Sequence, residues 1–375
     1  MSSQPLHPAL LIGLILTSGC QGCSETTLRP TDVDTGEAAV PFTNDWGQWL
    51  AMDAMPDGSP ALAYYDATTG GVGFAIARFA EDGSVSWQRE PVDGYAEDNL
   101  DPGDRGKYVS MVISADGVVW LAYQDVSLKT LRYAQRAKNG DWTNGIADAG
   151  GGPTSDAGYY SDITLDGNGD PVIVHFDNAR GTLRVVRWTG DSFSGSVLSE
   201  REDAIIGEFP KIVIASNVEY VVFYDRTEGD LLLSYGGAGS HTVEIIESEG
   251  DIGQWPDVAI EDGTLFIAHH DVGNQDLRFV RGEPGIWEAE LIDDGEFVGG
   301  DPAIYFAEGG PGIAYCDGRN NDVKLALRQS GSWTVDQLIG DDGALGYHNE
   351  VVTTSLGTFV ASYDYTERTV WFNAL

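Results

Sequence analysis

The chain has 375 residues, and 59 acidic side chains against 21 lysines and arginines give it a formal net charge of −38 at pH 7. A field of that sign repels phosphate backbones, which argues against nucleic acid as a partner. The 48 glycines, 10 tryptophans and 16 tyrosines are typical of short strands joined by tight turns rather than of helices.

The first twenty residues differ from the rest of the chain. Residues 9–16 form an apolar run that is too short to span a bilayer as a helix, and a Thr-Ser-Gly sequence then leads to Cys20. Small residues before a cysteine resemble a bacterial lipoprotein signal, and this resemblance implies that Cys20 is lipidated. We therefore expect a signal peptide at 1–19, a lipid anchor and acidic linker at 20–37, and a folded domain at 38–375.

Such an N-terminus indicates export across the inner membrane and a lipid anchor in the bacterial cell envelope, either in the periplasm or on the outer surface. Lipidation at Cys23 and secretion without a lipid are the alternatives. The third cysteine, Cys316, stands alone in an apolar strand pattern, so we expect it to be buried and inert. The cysteine count predicts no disulfide framework and no zinc site, and no cofactor or other metal is expected.

One phrase recurs seven times: an apolar segment, a turn, a second apolar segment ending in aspartate, and a third strand. The second segments end at Asp66, Asp125, Asp177, Asp225, Asp271, Asp317 and Asp364. Subtracting successive numbers gives intervals of 59, 52, 48, 46, 46 and 47 residues, and periods of roughly 40–50 residues mark propeller blades. A helical solenoid is excluded because the apolar residues alternate with period two. The predicted fold is therefore all-β, a seven-bladed β-propeller of four-stranded antiparallel blades.

The seventh repeat ends without a fourth strand at Leu375, whereas the N-terminus has a spare apolar segment at 38–42. We expect this segment to pair as the outer strand of the last blade and to close the ring. Pro41 is acceptable there because an outermost strand is an edge.

The recurrent aspartates are expected to accept hydrogen bonds from the turns that follow them, since a catalytic acid is needed once or twice rather than seven times. Because its blades carry short aromatic and Asp-Gly motifs, the chain resembles bacterial sialidase-like and lectin-like propellers. The nearest approach to the sialidase Asp-box is Asp82-Gly83-Ser84-Val85-Ser86-Trp87. No arginine triad accompanies it, because Arg132, Arg184 and Arg278 repeat in one register and are expected to pair or pack.

Candidate ligand-binding residues lie where the seven first strands begin, at the face that also carries the recurrent aspartates. They are Trp49, Tyr108, Tyr160, Phe209, Trp255, Asp301 and His348. Five large aromatic residues with nearby carboxylates suit stacking and hydrogen bonding with a carbohydrate or an extended ligand. The alternative is that these rings pack between the blades as core.

Two positions further along the first strands, the residues vary in a way that packing residues do not. They are Ala51, Ser110, Asp162, Lys211, Asp257, Ala303 and Glu350. If these strands line a central channel, we expect the four charged members to approach one another near its mouth and to shift one another's pKa values. A polar, water-filled channel explains the same residues without a ligand.

The sequence thus favours a non-catalytic, envelope-anchored binding propeller, monomeric, with a carbohydrate or protein ligand. A glycan-active hydrolase or lyase that uses Asp162 with Asp257 or Glu350 is the alternative, and a structural role in an envelope assembly is a third. His175 and His269 share a register in blades that are not neighbours, so we expect interior histidines with satisfied hydrogen bonds rather than metal ligands. No catalytic residue is assigned.

Overall fold

The computed structural model describes residues 31–32, 45–95, 103–307, 309–339 and 343–375. Every secondary-structure element among these residues is a β-strand. Twenty-seven of these strands form seven antiparallel sheets arranged as the blades of a ring, which confirms the predicted fold. The described residues include no helix long and apolar enough to cross a membrane.

Blades 1 to 3 each contain four strands that follow one another in the chain. They are β2 (Trp46–Ala54), β3 (Pro60–Asp66), β4 (Gly71–Phe79) and β5 (Val85–Asp93); β6 (Arg105–Ile113), β7 (Val119–Asp125), β8 (Thr130–Arg136) and β9 (Trp142–Asp148); and β10 (Tyr159–Leu165), β11 (Pro171–Asp177), β12 (Thr182–Trp188) and β13 (Phe193–Ser199). A short strand, β1 (Thr31–Asp32), adds to the outer edge of blade 1 by parallel pairing with β5.

Blades 4 to 6 repeat this plan, and blade 7 has three strands among the described residues. They are β14 (Ile206–Ala215), β15 (Val218–Asp225), β16 (Asp230–Gly237) and β17 (Ser240–Glu247); β18 (Ile252–Glu261), β19 (Thr264–Asp271), β20 (Asp276–Glu283) and β21 (Ile286–Asp293); β22 (Val298–Ala307), β23 (Gly310–Asp317), β24 (Asp322–Gln329) and β25 (Ser332–Ile339); and β26 (Tyr347–Thr354), β27 (Gly357–Asp364) and β28 (Thr369–Ala374).

The first strand of every blade contacts the first strands of both neighbouring blades, so these seven strands surround the central channel. The ring closes where β2 meets blade 7. There the Trp46 N–H donates to the Arg368 carbonyl at 3.1 Å, and the Tyr363 hydroxyl donates to Asp45 at 2.6 Å. The predicted closing strand at 38–42 lies outside the described residues.

The core of the described chain is divided among the seven interfaces between neighbouring blades. Each interface holds one cluster of buried apolar side chains, and the cluster between blades 7 and 1 includes Trp46, Trp87 and Phe372. Both faces of a blade are therefore covered, and the second strands β3, β7 and β11 are buried at every residue. This explains why the second segments read as continuous apolar runs in the sequence.

The recurrent aspartates hold the turns that follow them, as predicted. In blade 1 the Asp66 carboxylate accepts hydrogen bonds from the Thr68 and Thr69 N–H groups at 3.0 and 3.2 Å. Equivalent bonds form in five other blades. Blade 3 differs, since Asp177 accepts instead from the N–H of Asp156, which precedes its own first strand.

A second recurrent acid, at the end of the fourth strand, joins each of four blades to the next. Asp148 of blade 2 is 2.8 Å from Arg184 and accepts a hydrogen bond from His175 of blade 3 at 3.1 Å. The Gly158 N–H donates to the other nitrogen of His175, so this interior histidine is satisfied as expected. For His269 the expectation is wrong in part, because its Nε2 atom bonds Glu247 but its buried Nδ1 atom has no hydrogen-bond partner. The equivalent acids are Asp93 with Arg132, Glu247 with Arg278 and His269, and Asp293 with Lys324. The repeated arginines are thus structural ion-pair partners, as the sequence indicated.

Candidate functional site

Every first strand carries the same bulge at the channel mouth. A glycine with φ between 91° and 111° is followed two residues later by a non-glycine residue with φ between 45° and 55°. The seven non-glycine residues are Trp49, Tyr108, Tyr160, Phe209, Trp255, Asp301 and His348, which are the first-strand positions that the sequence singled out. We refer to them as the mouth ring.

The glycine of this bulge is needed both for its backbone angle and for space. A Cβ atom at Gly207 would lie 2.4 Å from the Leu183 Cβ atom of the preceding blade. The pairing of the first and second strands shifts register at the same point, for example between Gln254 and Asp257. Residues skipped by the bulge turn toward the channel instead of continuing the pleat. A Gly-x-aromatic pattern in five of the seven blades is the sequence signal for this bulge.

Six members of the mouth ring form a continuous arc of side-chain rings. Neighbouring centroids are 5.8 Å apart for His348–Trp49, 5.4 Å for Trp49–Tyr108, 4.8 Å for Tyr108–Tyr160, 4.2 Å for Tyr160–Phe209 and 5.8 Å for Phe209–Trp255. All six are partly exposed, and Trp255 is 37% exposed, although Trp49 also packs against the apolar cluster between blades 1 and 2. Trp255 also stacks on His270 at 5.4 Å.

Asp301 interrupts the arc between Trp255 and His348. Its carboxylate accepts a hydrogen bond from the His348 N–H at 3.1 Å, and its carbonyl accepts one from the Asn349 side chain at 2.9 Å. Burial lowers the pKa of His348 below its usual value, so its imidazole is neutral near pH 7. The gap in the arc is thus occupied by the Asp301 carboxylate, next to a neutral imidazole.

Below the mouth ring, the charged members of the next register converge as predicted. Lys211 Nζ lies 3.8 Å from Asp162 Oδ1, and Lys211 also interacts electrostatically with Asp257, Glu350 and Asp301. Burial alone would lower the pKa of Lys211, but the surrounding carboxylates outweigh it and raise this pKa. Lys211 is thus a cation held by several acids at the floor of the mouth.

The acids of this register also join the blades. Asp162 accepts a hydrogen bond from the Ile212 N–H of the next blade, and Asp257 accepts one from the Ile304 N–H, both at 2.7 Å. Glu350 bonds the backbone of Met52 across the closure of the ring. Burial raises the pKa values of Asp162 and Asp257, and it raises the pKa of Glu350 to about 8. Glu350 is therefore mostly protonated near pH 7.

All seven members of the mouth ring line a cavity of about 230 Å³, which we call the mouth cavity. Asp162, Lys211 and Glu350 form its floor. A second cavity of about 240 Å³ adjoins it and shares Trp255 and Asp301. The second cavity is also lined by His270, Phe297, Cys316 and Tyr347, and of these only Cys316 was singled out from the sequence. Cys316 is buried as expected, and burial raises the pKa of its thiol to about 12. Among the described residues, no group of acids, histidines and cysteines is arranged to hold a metal ion.

Solved structures with a similar fold include a sialidase and a polysaccharide lyase. The Hadza microbial sialidase Hz136 is 14% identical, with a TM-score of 0.51 over 85% of this chain and 74% of its own. The polysaccharide lyase Uly1 is 11% identical, with a TM-score of 0.51 over 92% of this chain and 91% of its own. The Aleuria aurantia lectin AAL, crystallised with Fucα1-6GlcNAc, is 15% identical at a TM-score of 0.47 over 71% of this chain and 94% of its own.

No protein-family model and no curated protein matches the sequence. Identities this low show a shared fold and carry no residue roles across, because one propeller fold supports many functions. The chain is therefore a seven-bladed β-propeller whose fold is similar to that of a sialidase and a polysaccharide lyase.

Proposed function

We propose that the protein is a non-catalytic binding propeller that holds a carbohydrate at the mouth of its central channel. The observation that carries this proposal is the arc of six side-chain rings above a charged floor. Aromatic faces stack on the apolar faces of sugar rings, and the surrounding carboxylates accept hydrogen bonds from hydroxyl groups.

The roles of the floor acids support binding rather than catalysis. Asp162 and Asp257 each hold a backbone N–H group of the next blade, which ties their carboxylates to the framework. The arginines of the repeated register pair with acids between blades, and none is among the described residues that line the mouth cavity. Among the described residues, the mouth cavity therefore offers no arginine that could bind the carboxylate of a sugar as a sialidase does.

We propose that this site acts in the bacterial cell envelope, with Cys20 as the lipid-bearing residue. This part of the proposal rests on the lipoprotein-like signal, since the N-terminal thirty residues lie outside the described part of the chain. Replacing Cys20 with Ser is expected to release the protein from membrane fractions. A chain that remains membrane-bound after this change contradicts Cys20 as the lipid-bearing residue.

The ligand site is tested with Trp255→Ala and Tyr160→Ala on a glycan and cell-wall array. Each replacement removes a stacking face and is expected to weaken binding about tenfold, equivalent to about 1.4 kcal/mol. Alanine is preferred to glycine because it keeps a Cβ atom, so the cost of the left-handed backbone stays in place. Phe79→Ala, at an exposed aromatic on the opposite face, is the matched control and is expected to bind like the wild type.

Either outcome is informative. Glycan binding that Trp255→Ala and Tyr160→Ala leave unchanged contradicts the proposed site. Binding to a protein component of the envelope, with no glycan bound, contradicts the carbohydrate ligand and favours a protein partner.

A second function, a glycan-active hydrolase or lyase, is favoured by one observation. Glu350 holds a proton near pH 7 and His348 is neutral there, so a proton donor and a proton acceptor both line the mouth cavity. Product release from the arrayed glycans, lost in Glu350→Gln and His348→Gln, supports this function. Binding without any product contradicts it.

A further inference from the structure

Blade 6 departs from the other blades at one position of the bulge. Between the bulge glycine and the mouth-ring residue, the other six blades carry side chains, namely Gln48, Lys107, Tyr159, Glu208, Gln254 and Tyr347. Blade 6 has Gly300 there, followed by Asp301 where five blades have an aromatic residue. The gap in the aromatic arc and the missing side chain thus occur side by side.

The missing side chain leaves the second cavity open, which we call the side pocket. A Cβ atom at Gly300 would lie 3.7 Å from both the Cys316 Cβ atom and the Trp255 ring, at the wall of this pocket. Gly300 is not in the left-handed region, so its backbone does not require glycine. A larger residue at this position would fit the backbone angle but would fill the space of the pocket.

Aromatic residues and one carboxylate give the side pocket its chemical character. Trp255, His270, Phe297 and Tyr347 line it, and Trp255 and Phe297 are 37% and 54% exposed. Asp301 stands where the side pocket meets the mouth cavity.

The charge of the surroundings favours a cation. None of the described residues that line the side pocket is a lysine or arginine, and the whole chain carries −38. Burial lowers the pKa of His270 to about 4, so this imidazole adds no positive charge near pH 7. Its Nδ1 atom is buried and has no hydrogen-bond partner.

We propose that the side pocket binds an organic ammonium group carried by the ligand at the channel mouth. The aromatic faces attract a cation through their quadrupoles, and the Asp301 carboxylate supplies a counter-charge. A methylated ammonium fits better than a primary one, because the pocket offers few acceptors to replace the water shell of a primary ammonium. The inference rests on the proposed function in that the ammonium group belongs to the carbohydrate bound next to it.

Choline and its neutral carbon isostere, 3,3-dimethylbutan-1-ol, test the pocket directly. Both have the same shape, so a difference in affinity measures the charge. Titrations followed by tryptophan fluorescence and by NMR are expected to show that the protein prefers choline about tenfold. Equal affinity for the two probes, or no binding of choline, overturns the proposal.

Three variants of the full chain assign the binding to this pocket. Gly300→Gln introduces the residue that blades 1 and 5 carry and is expected to abolish choline binding. Gly300→Ala adds one methyl group at ordinary contact distance and is expected to keep most of the affinity. Asp301→Asn keeps an acceptor for the His348 N–H and is expected to reduce the preference for choline over the isostere. Equal losses in Gly300→Ala and Gly300→Gln overturn the argument from space.

Further measurements separate the source of the ammonium group from the proposed function. Glucosamine as a probe distinguishes an amino sugar from a quaternary ammonium substituent, and tighter binding of glucosamine than of choline overturns the preference for methylation. Choline binding with no glycan bound on the array contradicts the proposed function but leaves the pocket in place. Glycan binding without choline binding contradicts the ammonium pocket but leaves the proposed function in place.

Discussion

Glu350 shows how a single side chain can be stabilised in its neutral form by its position. Its carboxyl group lies on the channel wall with Asp162 and Asp257 as acidic neighbours and Lys211 as the cation among them. Burial outweighs the attraction of Lys211 and raises the pKa of Glu350 to about 8. In the unfolded chain the group returns to an ordinary pKa near 4.5.

The difference between folded and unfolded states makes Glu350 a source of pH-dependent stability. Between about pH 4.5 and pH 8 the folded protein keeps a proton that the unfolded chain releases, so the free energy of unfolding falls as pH rises. Glu350→Gln keeps an acceptor for the Met52 backbone and does not titrate. We expect its stability advantage over the wild type to be small at pH 4.5 and to grow up to pH 8, as measured by urea unfolding. Parallel pH profiles for the two proteins contradict the raised pKa.

At the scale of the strand, the bulge determines where the site lies. Seven first strands place a bulky or charged residue in the left-handed region, a conformation that costs on the order of 1–3 kcal/mol at each position. The flanking glycine of each bulge allows close approach of the preceding blade, and six of the seven bulged residues also pack against a neighbour in the ring.

Gly207→Ala and Gly190→Ala separate the two reasons for a glycine, namely its positive φ angle and the lack of space for a Cβ atom. Both glycines have similar backbone angles, with φ of 107° and 103°, but a Cβ atom at Gly207 meets Leu183 at 2.4 Å, whereas Gly190 has nothing within 4 Å. Gly190→Ala is expected to cost about 1 kcal/mol for the backbone angle, and Gly207→Ala at least about 2 kcal/mol more. Chemical denaturation measures both. Similar losses in the two variants contradict the close-packing argument.

Periodicity and the recurrent aspartates were enough to predict the seven blades and the positions that form the mouth. Asp66 and its equivalents end strands that are buried on both faces, and strands buried in this way are recognisable in the sequence as continuous apolar segments. The bulge was not predicted, because an aromatic residue such as Trp255 is not a usual sign of a left-handed backbone. The side pocket was not predicted either, since it arises from the missing side chain of Gly300, and only comparison among blades reveals it.

Over the whole molecule, like charges repel while the ion pairs between blades attract. The Asp148–Arg184 pair is buried and the Asp93–Arg132 pair is largely buried, and both are short, so salt screens them weakly. By contrast, acidic side chains in several turns of the described chain are exposed, among them Glu81, Asp82, Asp116 and Glu202. Net repulsion among exposed charges destabilises a compact state and is screened by salt.

Raising NaCl from about 20 mM to about 500 mM shortens the Debye length to a few ångströms, and the melting temperature is expected to rise by several degrees. A fall in melting temperature instead indicates that the ion pairs dominate and contradicts the repulsion argument. Choline chloride at equal ionic strength screens equally but also binds the side pocket. It is therefore expected to raise the melting temperature further, because a ligand that binds the folded state stabilises it. Gly300→Gln, in which that pocket is filled, is expected to respond equally to the two salts.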